Sequence, residues 1–176
     1  MANNKKPFCI TFAGVVGSSK TPIAHYLSTK LNLPVFDHDY IRIELREDLL
    51  EYNTDNYVKE YKKRKNERLQ DIFNKKLSFI YDTSMDRRWE EAKKNIEDHG
   101  YKWFLISLDL SKELLAKMYR IKDYKQSLKR IDNLLADHND FLSKHADDIS
   151  LHITDENFLQ RLEISETAVS NWLLSL

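Results

Sequence analysis

Six residues near the start of the chain, Phe8 to Ala13, are apolar almost throughout and rich in β-formers, and they run directly into Gly14-Val15-Val16-Gly17-Ser18-Ser19-Lys20-Thr21. A short, continuously apolar run of this kind reads as a central parallel strand covered on both faces. From about Lys20 to Leu31, apolar positions Ile23, Ala24, Leu27 and Leu31 fall at helical spacing, with Pro22 in the first turn, where a missing N–H costs little. A buried strand, a tight loop of small residues and a helix therefore follow one another. The chain holds only 3 glycines, and Gly14 and Gly17 are two of them.

The loop matches G-x-x-x-x-G-K-[ST], the Walker A pattern, at Gly14, Lys20 and Thr21, with Ser19 where the second glycine belongs. Successive backbone N–H groups in such a loop curl into an anion nest at a helix N-terminus, and small side chains let phosphates approach. Gly14, Val15, Val16, Gly17, Ser18, Ser19, Lys20 and Thr21 are thus the expected phosphate-binding residues. Lys20 is expected to reach the β- and γ-phosphates, and the Thr21 hydroxyl to ligate Mg2+. Ser19 is tolerable if the helix begins there, since its backbone angles then need no glycine.

The rest of the chain alternates. Val35–Phe36 reads as a second strand ending in Asp37-His38-Asp39, and helices are predicted over about 40–50 and 55–76, the latter capped within Asn53-Thr54-Asp55. Further strands are expected at 78–82, 102–109 and 149–154. Helices are expected over 86–99, closed by Gly100, then from Ser111 to about 120, over 124–143, and as two short segments, 155–162 and 165–174. Five strands alternating with helices predict an α/β three-layer sandwich, a five-stranded, mainly parallel sheet with helices on both faces. At 176 residues with no repeat or long linker, one domain spanning 1–176 is expected.

Composition narrows the functional classes. Lys plus Arg and Asp plus Glu both number 28, so no overall charge argues for nucleic acid or a membrane surface. The single cysteine, Cys9, cannot form an internal disulfide, and no run approaches the length of a membrane span. A cytoplasmic protein, monomeric or homodimeric, is the expectation. The stretch from Lys59 to Arg68 carries six basic and two acidic residues, and Arg64 and Arg68, one helical turn apart, are expected to present a joint anion site. The histidines show no zinc spacing, and His138 and His145 read as surface residues. Trp89, Trp103 and Trp172 read as core or interface anchors, and the apolar end of the chain as packing back on the body or against a second subunit.

Around the loop, the chain resembles the small P-loop kinases, in the polynucleotide-kinase-like, zeta-toxin-like and chloramphenicol-phosphotransferase-like branches. The resemblance rests on Phe8 to Arg42, on Ser78 to Arg88 more loosely, and elsewhere on strand–helix order. It implies an ATP-binding transferase, using ATP or another nucleoside triphosphate with Mg2+, that moves a γ-phosphoryl group to an alcohol group. That group would belong to a small molecule or to a 5′-hydroxyl polynucleotide end. In the D-x-x-R segment Asp39-Tyr40-Ile41-Arg42 it gives Asp39 the role of base and Arg42 that of acceptor ligand, with Asp37 as a rival for the base. It makes Asp82 a magnesium-shell residue, Arg87 or Arg88 a phosphate or substrate contact, and 40–76 an acceptor-binding segment that would use Arg64 and Arg68. A lid over about 117–127 would supply Arg120 to the transferring phosphoryl group, with Lys122 and Lys125 behind it. The alternatives are a nucleotide-binding regulatory module without transfer, suggested by Ser19 and the lack of paired lid arginines, and a nucleic-acid binder using the basic helix.

Overall fold

The computed structural model describes residues 6–50 and 52–176. Its elements are β1 (Phe8–Ala13), α1 (Lys20–Leu31), β2 (Val35–Asp37), α2 (His38–Leu49), α3 (Asp55–Asn74), β3 (Phe79–Ser84) and α4 (Trp89–Asp98). They continue as β4 (Lys102–Asp109), α5 (Lys112–Ile121), α6 (Lys125–Lys129), α7 (Ile131–His145), β5 (Leu151–Thr154) and α8 (Arg161–Leu174). The strands form one five-stranded sheet in the order β2-β3-β1-β4-β5, with every pairing parallel.

β1 lies at the centre, and its residues alternate between two cores. Cys9 and Ala13 face a layer containing Leu45, Phe73, Trp89 and Phe141. Ile10 and Phe12 face a layer containing Ile23, Leu27, Leu115 and Val169. Helices on both faces explain why the strand is apolar at successive rather than alternate positions. α1, α5 and α8 cover one face, and α2, α3 and α4 the other. α7 gives Phe141 to the first core and Ile131 to the second, so it crosses the carboxyl edge of the sheet.

Local chemistry sets most boundaries. Asp37 caps α2, its side chain accepting from the Asp39 amide; Thr54 and Ser111 cap α3 and α5 in the same way. Gly100 follows α4 in a left-handed conformation. Several boundaries differ from the sequence expectation. β3 runs on to Ser84, and β5 begins only at Leu151. α4 begins at Trp89 rather than Asp86, because Arg88 has a non-helical φ of −142° and the Asp86 carboxylate is bonded to Gly14. The helix expected over 124–143 breaks at Arg130, where φ is −112°, into α6 and α7. The two short terminal helices are one, α8, preceded by turns. The end of the chain packs back on the body: Trp172 meets Phe8 at 5.6 Å and Phe104 at 5.2 Å between ring centroids. Trp89 is buried and meets Trp103 edge-on at 5.1 Å. No helix among the described residues is long and apolar enough to cross a membrane.

Candidate functional site

Chain order places the site. From β1 the chain crosses to α1 on one face, whereas β3, hydrogen-bonded beside β1, leads to α4 on the other. The two connections diverge and open a crevice at the carboxyl ends of β1 and β3, where parallel sheets hold ligands. The Gly14–Thr21 loop forms one wall. β2 and β3 end side by side, with Asp37 and Asp82 in register, and form the other.

Within the loop, the Lys20 ammonium donates to the carbonyls of Gly14 at 2.7 Å and Val15 at 2.6 Å, and to the Ser18 hydroxyl at 3.3 Å. Burial pushes its pKa down to about 8, with Asp86 and Asp82 opposing the shift. The Ser84 hydroxyl donates to the Gly14 carbonyl at 3.0 Å, and the Gly14 amide donates to Asp86 at 2.8 Å. The loop is thereby pinned to β3 and the turn after it. On its outer side, Gly17 packs so closely against Tyr119 and Tyr124 that a β-carbon there would stand 2.9 Å from the Tyr119 ring. The Tyr119 hydroxyl donates to the Val16 carbonyl at 2.6 Å and the Lys122 ammonium to the Gly17 carbonyl at 2.8 Å, so α5 and the turn after it clasp the loop.

Ser19 corrects an expectation. It precedes α1 as its N-cap with φ at 87°, in the left-handed region that disfavours a β-carbon, so this position does ask for glycine. The Ser19 side chain is 5 % exposed, and its hydroxyl accepts from Arg161 Nε of α8 at 2.9 Å. Ser19→Gly is therefore expected to stabilise the protein by about 1 kcal/mol, the strain released exceeding one partly exposed hydrogen bond. Urea unfolding would measure this, and equal or lower stability would show that the Arg161 bond outweighs the strain.

Thr21 and Asp82 line the same crevice wall, where the Thr21 hydroxyl favours the ionised Asp82 carboxylate. Burial raises the Asp82 carboxyl above its ordinary value; the Thr21 hydroxyl opposes that shift, Asp37 adds to it, and Lys20 opposes it. The crevice, about 500 Å³, is walled by Lys20, Thr21, Asp82, Asp37, Asp39 and Arg42. Asp39 lies in the first turn of α2, and its carboxylate accepts from Arg42 at 2.7 Å. Behind them His38 is buried between two phenols, its Nε2 3.0 Å from Tyr81 and its Nδ1 3.0 Å from Tyr61. Burial, helped by Lys65, Arg88 and Arg42, lowers its pKa to about 3, so the ring is a neutral prop for the α2 end.

Four expected arginines stand elsewhere. Arg64 donates to Glu44 and Asp48 at 2.5 and 2.6 Å, and Arg68 to Glu44 at 2.5 Å. The joint anion site on α3 is thus filled by carboxylates of α2 and serves to fasten the two helices. Arg87 pairs with Asp137 of α7 outside the crevice, and it is Arg88 that reaches the wall. Arg120 is exposed on α5 and does not line the crevice; Lys122 and Tyr124 do. Lys125 pairs with Asp123 at 3.3 Å.

His138 is a further correction. It is 2 % exposed, not a surface residue, and lies between two carboxylates at the sheet edge. Its Nε2 is 2.9 Å from Asp109 Oδ1, and its Nδ1 stands 3.4 Å from Asp86 Oδ1, an ion-pair contact without hydrogen-bond geometry. Burial works against the imidazolium, but Asp109 and Asp86 outweigh it and raise the pKa to about 9. Asp109 also accepts from Ser107 and His152. His145 is partly buried, 3.7 Å from Asp148. The signal for His138 was its helical register with Leu134, Phe141 and Leu142. Nothing local pointed to Asp86 or Arg161 as supports of the loop.

No protein-family model and no curated protein matches the sequence. Comparison of structures is informative. A candidate kinase of Chloroflexus aurantiacus superposes with a TM-score of 0.65 at 15% identity, over 98% of this chain and 99% of that one. A gluconokinase of Sinorhizobium meliloti gives 0.58 at 13%, over 98% and 97%. This is the fold of the small P-loop kinases. A shikimate kinase of Aquifex aeolicus shares it, with a TM-score of 0.55 at 22% identity over 96% and 95%. In the P-loop kinase fold of this chain, the crevice lies at the first strand's carboxyl end, beside the Gly14–Thr21 loop.

Proposed function

We propose that this chain is an ATP-dependent phosphotransferase, moving the γ-phosphoryl group of ATP, or of another nucleoside triphosphate, to an alcohol group. The observation that carries the reading is that Asp39 and Arg42 share one crevice with Lys20 and Thr21. The loop amides and the Lys20 ammonium would hold the β- and γ-phosphates, and Arg42 would orient the acceptor. In the transfer step, the acceptor oxygen bonds to the γ-phosphorus and the bond to the bridging oxygen breaks. The hydroxyl proton goes to the Asp39 carboxylate and the nucleoside diphosphate leaves.

The oxygen donors fit a magnesium ion. Thr21 and Asp82 face each other, with Asp37 beside them, a donor set of the hard kind that Mg2+ takes together with phosphate oxygens and water. Among the described residues no group of three or more His, Cys, Asp or Glu stands ready to hold a metal alone. Bound there, the ion would neutralise charge on the phosphates. The segment after α5 would act as the lid, with Lys122 and Tyr124 as its inward residues and Arg120 requiring a movement of α5 to take part.

Incubation with γ-labelled ATP and pooled hydroxyl compounds tests the proposal. Asp39→Asn is expected to lower transfer by on the order of 10²–10⁴-fold with ATP affinity retained. Normal nucleotide binding with no acceptor labelled would instead favour a regulatory nucleotide-binding module. That second reading is supported by the strained Ser19 and by a lid segment that presents a lysine, a poorer bidentate clamp than arginine.

A further inference from the structure

Beyond Asp39 and Arg42 the crevice opens into a second cavity of about 880 Å³. The two share Val16, Asp39 and Arg42, so a molecule in the second cavity meets the phosphate loop at Val16 and the base at Asp39. The far wall comes from three places in the chain: Ile43 and Arg46 on α2, Tyr52 in the turn before α3, and Arg130 at the break between α6 and α7.

Among the described residues, charge in this cavity is one-sided. Arg42, Arg46 and Arg130 face it, against the single described carboxylate Asp39, which is paired with Arg42. Neither Arg46 nor Arg130 has a carboxylate partner among the described residues. This is not the habit of the neighbouring helices: Arg64 and Arg68, a few turns away, are saturated by Glu44 and Asp48. Arg46 instead places its guanidinium carbon over the Tyr52 ring, 4.3 Å from its centroid, a contact that uses none of its N–H groups as hydrogen-bond donors. The lining is also apolar in part: Val16, Ile43 and Tyr52 are each about half exposed, side chains that a ligand would cover.

We propose that the acceptor is an anionic alcohol, carrying a phosphate or carboxylate that Arg46 and Arg130 bind and an apolar or ring-shaped body that covers Ile43 and Tyr52. The proposal rests on the kinase reading for the word acceptor alone; the anion site stands on the cavity. Arginine forks suit planar carboxylate and phosphate edges, and a fixed anion at the far end would hold the hydroxyl beside Asp39. The break at Arg130 gains a purpose: it brings a cation from between α6 and α7 to the acceptor, a few residues after the turn whose Lys122 clasps the loop.

Matched pairs of compounds test this: a nucleoside and its 5′-monophosphate, a sugar and its phosphate, and a polyol and its carboxylate. Binding is measured by calorimetry at constant ionic strength, without ATP, on the wild-type chain and on Arg46→Gln, Arg130→Gln and the double variant. At least one anion is expected to bind more than 10-fold tighter than its neutral partner. Each substitution is expected to remove about 10-fold of that preference, with ATP affinity retained. The phosphate and carboxylate arms identify the anion. Equal binding of charged and neutral partners, or a preference unmoved in the double variant, would overturn the proposal. Arginine-dependent anion binding without labelled product would sink the kinase reading and leave the anion site. Transfer to neutral alcohols, unmoved by either substitution, would do the reverse.

Discussion

Lys20→Ala is expected to abolish the thermal stabilisation that a nucleoside triphosphate with magnesium confers on the wild-type protein. At ligand concentrations near 100 times Kd, linkage supplies about 2.7 kcal/mol, a rise of roughly 5–10 °C in Tm for a chain of this size. The reason is specific to the loop. Lys20 is partly buried and bonded to the Gly14 and Val15 carbonyls, so its removal deletes the cation proposed to meet the phosphates and also leaves two loop carbonyls without their donor. Phosphoryl transfer, if assayed with an identified acceptor, should fall on the order of 10²–10³-fold, as when one preorganised charge-stabilising donor is lost. Differential scanning fluorimetry with and without nucleotide is the direct measurement. A variant that keeps the full nucleotide-induced rise would remove Lys20 from the binding site.

The second large effect lies under the loop rather than in it. His138→Leu leaves Asp86 and Asp109 buried without the imidazolium between them, and breaking a buried charge set in this way costs about 3–5 kcal/mol. The expected loss is near 10 °C in Tm, seen by heat or urea unfolding. The pH dependence carries its own sign. The folded pKa of His138, about 9, is above its ordinary 6.5, so its contribution is complete below pH 6.5 and is lost as pH rises through 9. Burial tends to raise Asp86 and Asp109, but His138 and their other donors hold both below 3.8. Their contribution is therefore present above 3.8 and lost as pH falls below it. Wild-type stability should decline from neutral pH toward pH 9, and this alkaline decline should vanish in the leucine variant. An unchanged profile, or a variant within 1 kcal/mol of wild type, would refute the buried ion pair. Because Asp86 also anchors the Gly14 amide, the variant should weaken nucleotide binding as well.

How much of this was legible before the structure differs from residue to residue. The strand–loop–helix unit around Gly14 to Thr21 was legible because its signals are local: an apolar run, small residues and helical spacing, all within about two dozen positions. The same holds for the alternation of five strands with helices, whose parallel sheet follows from what must be buried on two faces. Boundaries failed where a side chain was committed elsewhere, as at Asp86, which belongs to the loop's hydrogen bonds rather than to the start of α4.

Arginines show the limit most clearly. Arg42, Arg46, Arg64 and Arg68 are alike in sequence, each on a polar helix, yet two are saturated by carboxylates and two face a cavity. Which is which depends on how α2 lies against α3, because Glu44 and Asp48 meet Arg64 from 20 and 16 residues away. Ser19 was readable as a departure from the pattern. That it sits in a left-handed conformation, held by Arg161 from 142 residues away, was not.

By itself, then, the sequence determined the order of elements, the parallel sheet and the position of the Gly14–Thr21 loop at its centre, since each of these is written in short-range periodicity and residue size. Only the tertiary structure decided which charges remain free, which are neutralised and which are buried, for His138 with Asp86 and Asp109 as for the arginines of α2 and α3. Coulombic pairing depends on distances across the fold, and those are set by packing between segments far apart in the chain.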